Sequence, residues 1–503
     1  MNSNSVNNAF AREAELLAAR LKQRLPDLGP VPASKLVDRM VQKVLDLGRL
    51  PYARLALTGQ LGPGAVLDME HCALETGNGV LVLTVSQWLR GVVEYLIHWS
   101  YCLFALLLVR TVAGQRQGVV LVTGVSTEAI FQDGQDLAFA TYCRSCPVVP
   151  LRDGRHLYVQ TTAVAPGASD ARITYVRRPL IELMRRGRLG WTARMGAICS
   201  HAYGMPEFLW GAIRVPEFAL LGRDIAYVRV ATALDAGKLI ESVVTTCTSI
   251  TEQPLWGRCL VHAKVHMVWY AQNWKPVVFK ADPVGSDIPL LHWIRVDSHW
   301  VWTHKFAEYL QQLAGMTTMH SVGPLVWQCP KSGQSELSSL QIVVFDVSPY
   351  SNETALSYCE SPNYNHPDNL RKFIQDIVSL RIAWQAATGR PVVLRVKTKR
   401  GYQAAYDRGY FEFLEELDSK GEIKLEHHAE NIYDIISGSQ LAIAYPFTST
   451  PYLADAVKVP SVYYDPTSEI LDQDFSDSPT LIHFASGKNQ LHELVLRLLA
   501  PET

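Results

Sequence analysis

Along the second half of the chain, short runs that are apolar at nearly every position alternate with longer stretches that are apolar on one helical face only. The short runs are Leu340–Val347, Pro391–Val396, Ile423–Leu425, Leu441–Tyr445, Ser461–Tyr464 and Thr480–Phe484. Asn369–Gly389, Tyr406–Leu417, Ile432–Ser437, Tyr452–Val457 and Asn489–Leu499 separate or follow them. A strand that is apolar on both faces is buried on both, as in a parallel sheet covered by helices. Strands and helices that alternate with short connections therefore predict a doubly wound α/β domain.

The alternation is present, less regularly, from Gly118 onward. Gly118–Val125 (GVVLVTGV) is the clearest strand. Cys146–Leu151, Leu157–Gln160, Ile173–Val176, Lys264–Ala271, Val277–Lys280 and Trp293–Trp302 are read as further strands, and Met319–Trp327 as another apolar segment. Helices are expected after Asp136 through about Cys143, and at Leu180–Arg186, Pro216–Leu221, Ala231–Val244 and Thr303–Leu313. Before Gly118 the periodicity is helical over 8–25, 34–49 and Val85–Tyr95, with 60–94 otherwise mixed. Lys331–Ser339 (KSGQSELSS) is polar and lies between apolar segments, which marks it as a linker. The expected fold is α/β: two doubly wound Rossmann-like domains, 113–330 and 338–503, face a central cleft, and a helical region over 1–112 precedes them.

One apolar run stands apart. Tyr95–Val109 (YLIHWSYCLFALLLV) is 15 residues long and is flanked by Glu94 and Arg110. A spanning helix needs about 20 apolar residues. Two readings remain: a buried core helix, or a helix lying in a membrane surface, where Trp88, Tyr95, Trp99 and Tyr101 would suit the interface.

Composition narrows the class without naming it. The formal net charge of −1 offers no global basic excess for nucleic acid. The nine cysteines are odd in number and scattered, as expected of reduced intracellular thiols. The polar N-terminus carries no signal-peptide pattern, so a cytoplasmic protein is expected. Cys143 and Cys146 form a lone CxxC, and His427 and His428 have no Cys or carboxylate at ligand spacing, so no metal site and no resident cofactor are expected. No P-loop, GxGxxG, GxSxG or HExxH pattern is present.

Polar clusters follow the predicted strands of the second domain: Ser348–Glu353, Lys397–Arg400, His427–Asn431 and Thr448–Thr450. Ligands of open α/β sheets bind at the carboxyl ends of the strands. Lys397, Lys399 and Arg400 supply positive charge there, although such a run is also an ordinary solvated loop. Thr448, Ser449 and Thr450 sit where a strand turns into a helix, a place that serves both helix capping and phosphate binding. Thr448 and Ser449 are read as phosphate ligands and Thr450 as the cap. Ser348 lies on the same rim, and His427 suits a base or ribose contact. In the first domain, Glu128 and Asp133 follow the strand Gly118–Val125, where a catalytic carboxylate would be useful. Glu128 could equally stabilise a helix N-terminus. A base on one side of a cleft and a phosphate cradle on the other is the layout of a GT-B glycosyltransferase. The base takes the proton of the attacking hydroxyl, and the cradle stabilises the leaving phosphate.

At Pro446-Phe447-Thr448-Ser449 the sequence resembles the polysaccharide biosynthesis PFTS-motif proteins. The likeness extends to YPFTSTPYLADAVKVPSVYYDP, LRVKTKR, VVLVTGVSTEAIFQDG, MVWYAQN, HWVWTHKF and SVGPLVW, from about Val85 to Phe484. The resemblance implies a metal-independent GT-B enzyme of surface-polysaccharide, O-antigen or capsule assembly. Its donor would be a CMP- or UDP-sugar and its acceptor a polysaccharide or lipid-linked glycan at the inner face of the inner membrane. The Ser/Thr turn is also similar to the donor-phosphate site of bacterial sialyltransferase-like enzymes. Their paired acidic motif has Gln132 at one position here, beside Asp133. A catalytically silent scaffold of an assembly complex, or a nucleotide-sugar epimerase-like enzyme, would share the architecture.

Overall fold

The computed structural model describes residues 3–108, 118–131, 136–153, 155–162, 168–186, 190–247, 253–271, 277–281, 288–315, 317–328, 339–358, 361, 363–471 and 481–500. The N-terminal region opens with helices Ser3–Arg24 and Ala33–Leu57. A small antiparallel meander follows: β1 (Val66–Met69), β2 (Cys72–Glu75) and β3 (Val80–Val82). Strands this short leave no readable alternation, which is why 60–94 looked mixed. Thr84 then starts helix Val85–Leu107 with a reciprocal cap: its hydroxyl accepts the Gln87 N–H, and the Gln87 side chain accepts the Thr84 N–H. The run at Tyr95 therefore belongs to one longer helix. Val92, Tyr95, Cys102, Ala105 and Leu106 are buried and the opposite side is exposed, so it is a core helix on one face only.

Two all-parallel sheets follow. The first contains β4 (Val119–Val122), β5 (His156–Gln160), β6 (Ile173–Val176), β7 (Ile240–Thr246), β8 (Lys264–Val268), β9 (Ser298–Val301) and β10 (Thr318–Ser321), in the order β10-β9-β8-β7-β4-β5-β6. The second contains β11 (Leu340–Phe345), β12 (Val392–Lys397), β13 (Lys424–Glu426), β14 (Leu441–Ala444), β15 (Ser461–Asp465) and β16 (Ile482–Ser486), in the order β13-β12-β11-β14-β15-β16. Each sheet starts in its middle, winds to one edge, and returns to wind to the other. The expected pair of doubly wound domains is present, with switch points between β4 and β7 and between β11 and β14.

Local chemistry explains the elements that match. Pro367 opens helix Pro367–Thr388, and Gly389, at φ +66, closes it in the left-handed conformation that only glycine adopts cheaply. Trp384 on its inner face is fully buried, worth about 1.5–3 kcal/mol for an apolar side chain of this kind.

Several expectations are corrected. Cys146–Leu151 is not a strand; Val149–Arg152 forms one helical turn, and Pro147 and Pro150 lack the N–H groups that a ladder needs. Ala231–Val244 is not one helix. Helix Gly222–Ala236 ends, Lys238 turns the chain at φ +56, and the β-branched stretch Val243–Thr246 belongs to β7. Val277–Lys280 makes no ladder; Phe279 forms an isolated bridge to Ile470. Trp293–Trp302 is split into a 3-10 turn, Pro289–Trp293, and β9. Helix Trp191–Arg214 was not expected, because its outward face is apolar and blurs the period. The boundary at Lys331–Ser339 falls on 331–338, outside the described residues.

Two apolar cores hold the molecule. One joins the N-terminal helices to a face of the first sheet; the other runs from the opposite face of that sheet into the second. Trp327 lies in this second core, edge-on to Tyr142 at 5.1 Å between ring centres. Backbone bonds strap the domains together: Lys280 N–H donates to Glu469 O (2.8 Å) and Leu471 N–H to Val278 O (2.9 Å). Residues beyond the carboxyl ends of the two sheets meet: Trp302, after β9, lies 6.1 Å from Tyr452, after β14, between ring centres.

Candidate active site

The floor of the second domain's crevice is built by β11 and β12, which run side by side with Phe345 opposite Lys397. Asp346 follows β11 directly and is buried. Its carboxylate accepts the Lys399 N–H (2.7 Å) and the Tyr410 O–H (2.9 Å). Burial pushes its pKa up to about 7, against the pull of those two hydrogen bonds and of Lys399 and Lys397. Lys397 ends β12. Its ammonium donates to the His428 carbonyl (2.5 Å), and burial pushes its pKa below the usual lysine value, opposed by Asp346. A carboxyl and an ammonium thus share a low-dielectric floor, each with its charge disfavoured by burial.

Ser348, two residues beyond Asp346, is buried, and its hydroxyl finds no hydrogen-bond partner among the described residues. Such a group is costly unless something else satisfies it. The loops after β12 and β13 fit closely: a Cβ on Gly401 would come within 2.9 Å of the His428 ring. Lys399, Arg400 and His427 line the exposed lip. Arg400 donates to the Tyr406 hydroxyl (3.4 Å). Although burial opposes it, the Tyr350, Tyr406 and Tyr270 hydroxyls hold the Arg400 guanidinium above its usual value. Tyr270 belongs to the other domain, two residues beyond β8. His427 accepts the Ala429 N–H through Nδ1 (3.3 Å).

Across the switch point, β14 leads into Tyr445-Pro446-Phe447-Thr448-Ser449. Phe447 adopts φ +59, a conformation that costs an L-residue about 1–2 kcal/mol. Packing enforces it: Phe447 is buried between Tyr463 (5.4 Å) and Phe484 (6.0 Å, nearly parallel). The Tyr364 hydroxyl donates to the Pro446 carbonyl and the Tyr463 hydroxyl to the Thr448 carbonyl (2.6 Å). The Thr448 hydroxyl donates to the Tyr445 carbonyl (3.2 Å) and lies 3.2 Å from the Thr450 hydroxyl. The reading of Thr450 as the cap is corrected. Helix Thr450–Ala456 already includes it, and Ser449 occupies the cap position without a side-chain capping bond.

On the facing domain, hydroxyls crowd the ends of β4, β5 and β7. Thr127 lies 3.0 Å from the Thr162 hydroxyl and 3.3 Å from that of Thr161, and Thr246 donates to the Gly124 carbonyl (2.5 Å). Trp302, beyond β9, meets Tyr452 of the helix after the PFTS turn edge-on at 6.1 Å, and donates its indole N–H to the Trp269 carbonyl (2.6 Å). Glu128 lies in the one-turn helix Thr127–Ile130; its side chain, and the whole of Asp133, lie outside the described residues.

The structure therefore places Ser348, Lys397, Lys399, Arg400, His427, Thr448, Ser449 and Thr450 at the carboxyl ends of four neighbouring strands. Sequence reading missed Asp346, Tyr410, Tyr270 and Trp302. The signal for Asp346 was available: an acid directly after a strand that is apolar at every position but Gln341. The aromatic residues gave none, since they read as packing.

The fold and site define a two-domain α/β protein whose polar side chains gather at the carboxyl ends of the strands around the switch points. Residues 207–495 match the model of the polysaccharide biosynthesis PFTS motif proteins, more than half of the chain, and the protein belongs to that family. Among curated proteins no sequence matches it significantly. Solved structures similar to it include a sucrose-phosphate synthase from Thermosynechococcus elongatus (11% identity, 76% of this chain and 90% of that one, TM-score 0.41). Another is the wall teichoic acid polymerase TagF (9%, 83% and 89%, TM-score 0.38). A third, from E. coli, is described as trehalose-6-phosphate bound with UDP-2-fluoro glucose (11%, 77% and 92%, TM-score 0.39). All three likenesses are remote.

Proposed function

We propose that the protein is a glycosyltransferase of surface-polysaccharide assembly. It moves a sugar from a CMP- or UDP-activated donor onto a growing polysaccharide or lipid-linked glycan. The observation that carries this reading is the buried Lys397 beside Asp346 and the buried Ser348 hydroxyl, which has no hydrogen-bond partner among the described residues, at the switch point of the second domain. The donor phosphates lie over Lys397, Ser348 and the Thr448–Ser449 turn, and Lys399 and Arg400 close on them from the lip. His427 contacts the ribose or base.

In the transfer, the acceptor hydroxyl oxygen attacks the anomeric carbon as the bond from that carbon to the donor phosphate oxygen breaks. The acceptor proton passes to a carboxylate of the facing domain, Asp133 or Glu128. The negative charge that develops on the leaving phosphate is met by Lys397, Lys399 and Arg400, the roles that a bound cation would otherwise fill. Transfer is proposed to need no metal and no resident cofactor. The reaction takes place at the inner face of the membrane that carries the lipid-linked acceptor.

The test is product formation. The purified protein is incubated with a panel of CMP- and UDP-sugars and lipid extract from its own host, with and without chelator. Sugar incorporated into the lipid fraction, with release of the nucleotide, supports the proposal. Epimerised donor, or no consumption of any donor, rejects it.

A further inference from the structure

We propose that the outward face of the helical layer on the first domain is a docking surface for an anionic phospholipid bilayer. This deepens the lipid-borne acceptor proposed above and rests on that reading only for its purpose.

The face is formed by helices Val85–Leu107 and Trp191–Arg214, which pack against each other. A surface helix ordinarily turns polar residues outward. Here the rule is inverted. Between Val93 and Leu108 the exposed residues are Val93, Ile97, Tyr101, Phe104, Leu107 and Leu108, all apolar or aromatic. Their spacing of three or four residues puts them on one continuous stripe. On the neighbouring helix, Trp191, Tyr203, Trp210 and Ile213 are exposed by 58–67%. A contiguous apolar surface of this kind marks an interaction site.

The layer is held firmly to the domain beneath. Gly91 sits against the backbone at Ala219, where a Cβ would come within 2.1 Å of the carbonyl oxygen, and a Cβ on Gly222 would come within 2.3 Å of the Gly91 carbonyl oxygen. The exposed face is therefore presented by a fixed support.

Charge selects the occupant. Between residues 177 and 214 the described side chains include five Arg (Arg177, Arg178, Arg185, Arg194 and Arg214) and two Glu, with no Lys or Asp, in a chain of formal net charge −1. Both acids are paired, Glu182 with Arg185 (3.4 Å) and Glu207 with Arg229. Arg178 lies over the Tyr101 ring (4.5 Å) and Arg214 over the Trp210 ring (4.6 Å), so guanidinium groups rest on the aromatic residues of the stripe itself. Tyrosine and tryptophan beside arginine suit the headgroup level of a bilayer, with the aliphatic residues reaching the acyl boundary. A second copy docking through the same face would set arginine against arginine. Among the described residues no helix is long and apolar enough to cross a membrane, so the mode is lying on the surface.

The test is flotation of the full chain with vesicles of phosphatidylcholine alone and with vesicles rich in phosphatidylglycerol. Binding to the anionic vesicles, weakening as salt rises, is expected. Ile97→Glu with Phe104→Glu and Ile213→Glu, all at exposed positions, should weaken vesicle binding at least about tenfold with an unchanged unfolding midpoint. Arg178→Gln with Arg214→Gln should reduce the preference for anionic lipid and leave the apolar stripe intact. Wild-type protein that stays unbound, or triple-variant protein that floats like wild type, overturns the proposal. A wild-type dimer that the triple variant converts to monomer, without vesicle binding, overturns it in favour of a second copy. Nucleotide affinity is measured on the same samples: if it persists while vesicles fail to bind, only the docking surface falls.

Discussion

The Tyr410 phenol donates to the Asp346 carboxylate at 2.9 Å, on the buried floor beneath the proposed donor phosphates. With its pKa near 7, Asp346 sits well above an unfolded aspartate at about 3.9. Its contribution to stability is fully present below the unfolded value and is lost as pH rises through about 7. Asp346→Asn removes this dependence, so the variant should gain stability relative to wild type as the buffer goes from pH 5 to pH 8. Urea unfolding at both values checks it. Nucleotide phosphates should also bind wild type more weakly above pH 7, by roughly fivefold for one added charge at about 1 kcal/mol, with the effect absent in Asp346→Asn.

Phe447 gives a separate test of the turn. Phe447→Ala should destabilise the protein by about 3–5 kcal/mol, the usual range for emptying a buried aromatic site. Phe447→Gly should be milder than Phe447→Ala by about 1 kcal/mol, because glycine accepts φ +59 without strain. This reverses the usual order of the two substitutions. Urea midpoints of the two variants decide it.

Ser348 should separate stability from binding. Its buried hydroxyl lacks a partner among the described residues, so Ser348→Ala should leave the unliganded protein as stable as wild type or up to about 1 kcal/mol more stable. The same change should weaken nucleotide binding several-fold. Thermal unfolding with and without nucleotide measures both effects on one sample.

Acid sensitivity should arise in the first domain. His299 is fully buried, its Nδ1 accepting the Trp269 indole N–H (3.0 Å), and burial lowers its pKa to about 4. Burial likewise lowers His266, which lies 2.7 Å from the Ser298 hydroxyl, to about 4. Both are depressed below the unfolded value of about 6.5. Their contribution is present above that value and is lost as pH falls toward 4. Unfolding midpoints of His299→Gln and wild type should therefore converge as pH drops from 7 to 5.

The second domain was legible in the sequence because its strands are apolar on both faces and its helices on one. Ile432–Ser437 was read to the residue, and its Asn431 cap accepts the Tyr433 N–H as such a residue should. The first domain was harder to read. Only three residues separate helix Gly222–Ala236 from β7, so one apolar stretch concealed two elements. Helix Trp191–Arg214 was hidden by the same outward apolar residues that form the proposed docking face. The strand-end clusters could be found from polar residues after apolar runs, but their grouping depended on strand order. Lys397 and Asp346 adjoin because β11 and β12 pair, a long-range choice that local patterns do not encode.

The central claim is that the crevice at Lys397 binds the phosphates of a nucleotide. Isothermal titration of UDP and CMP into wild type and Lys397→Met tests it most directly. Methionine keeps the buried stem and removes the charge, so the fold should persist while affinity falls at least about tenfold, the loss of one charge-assisted hydrogen bond. The account predicts saturable binding of one of the two nucleotides to wild type and that loss in the variant. Absence of binding of either nucleotide to wild type, or equal affinity in Lys397→Met, would contradict it.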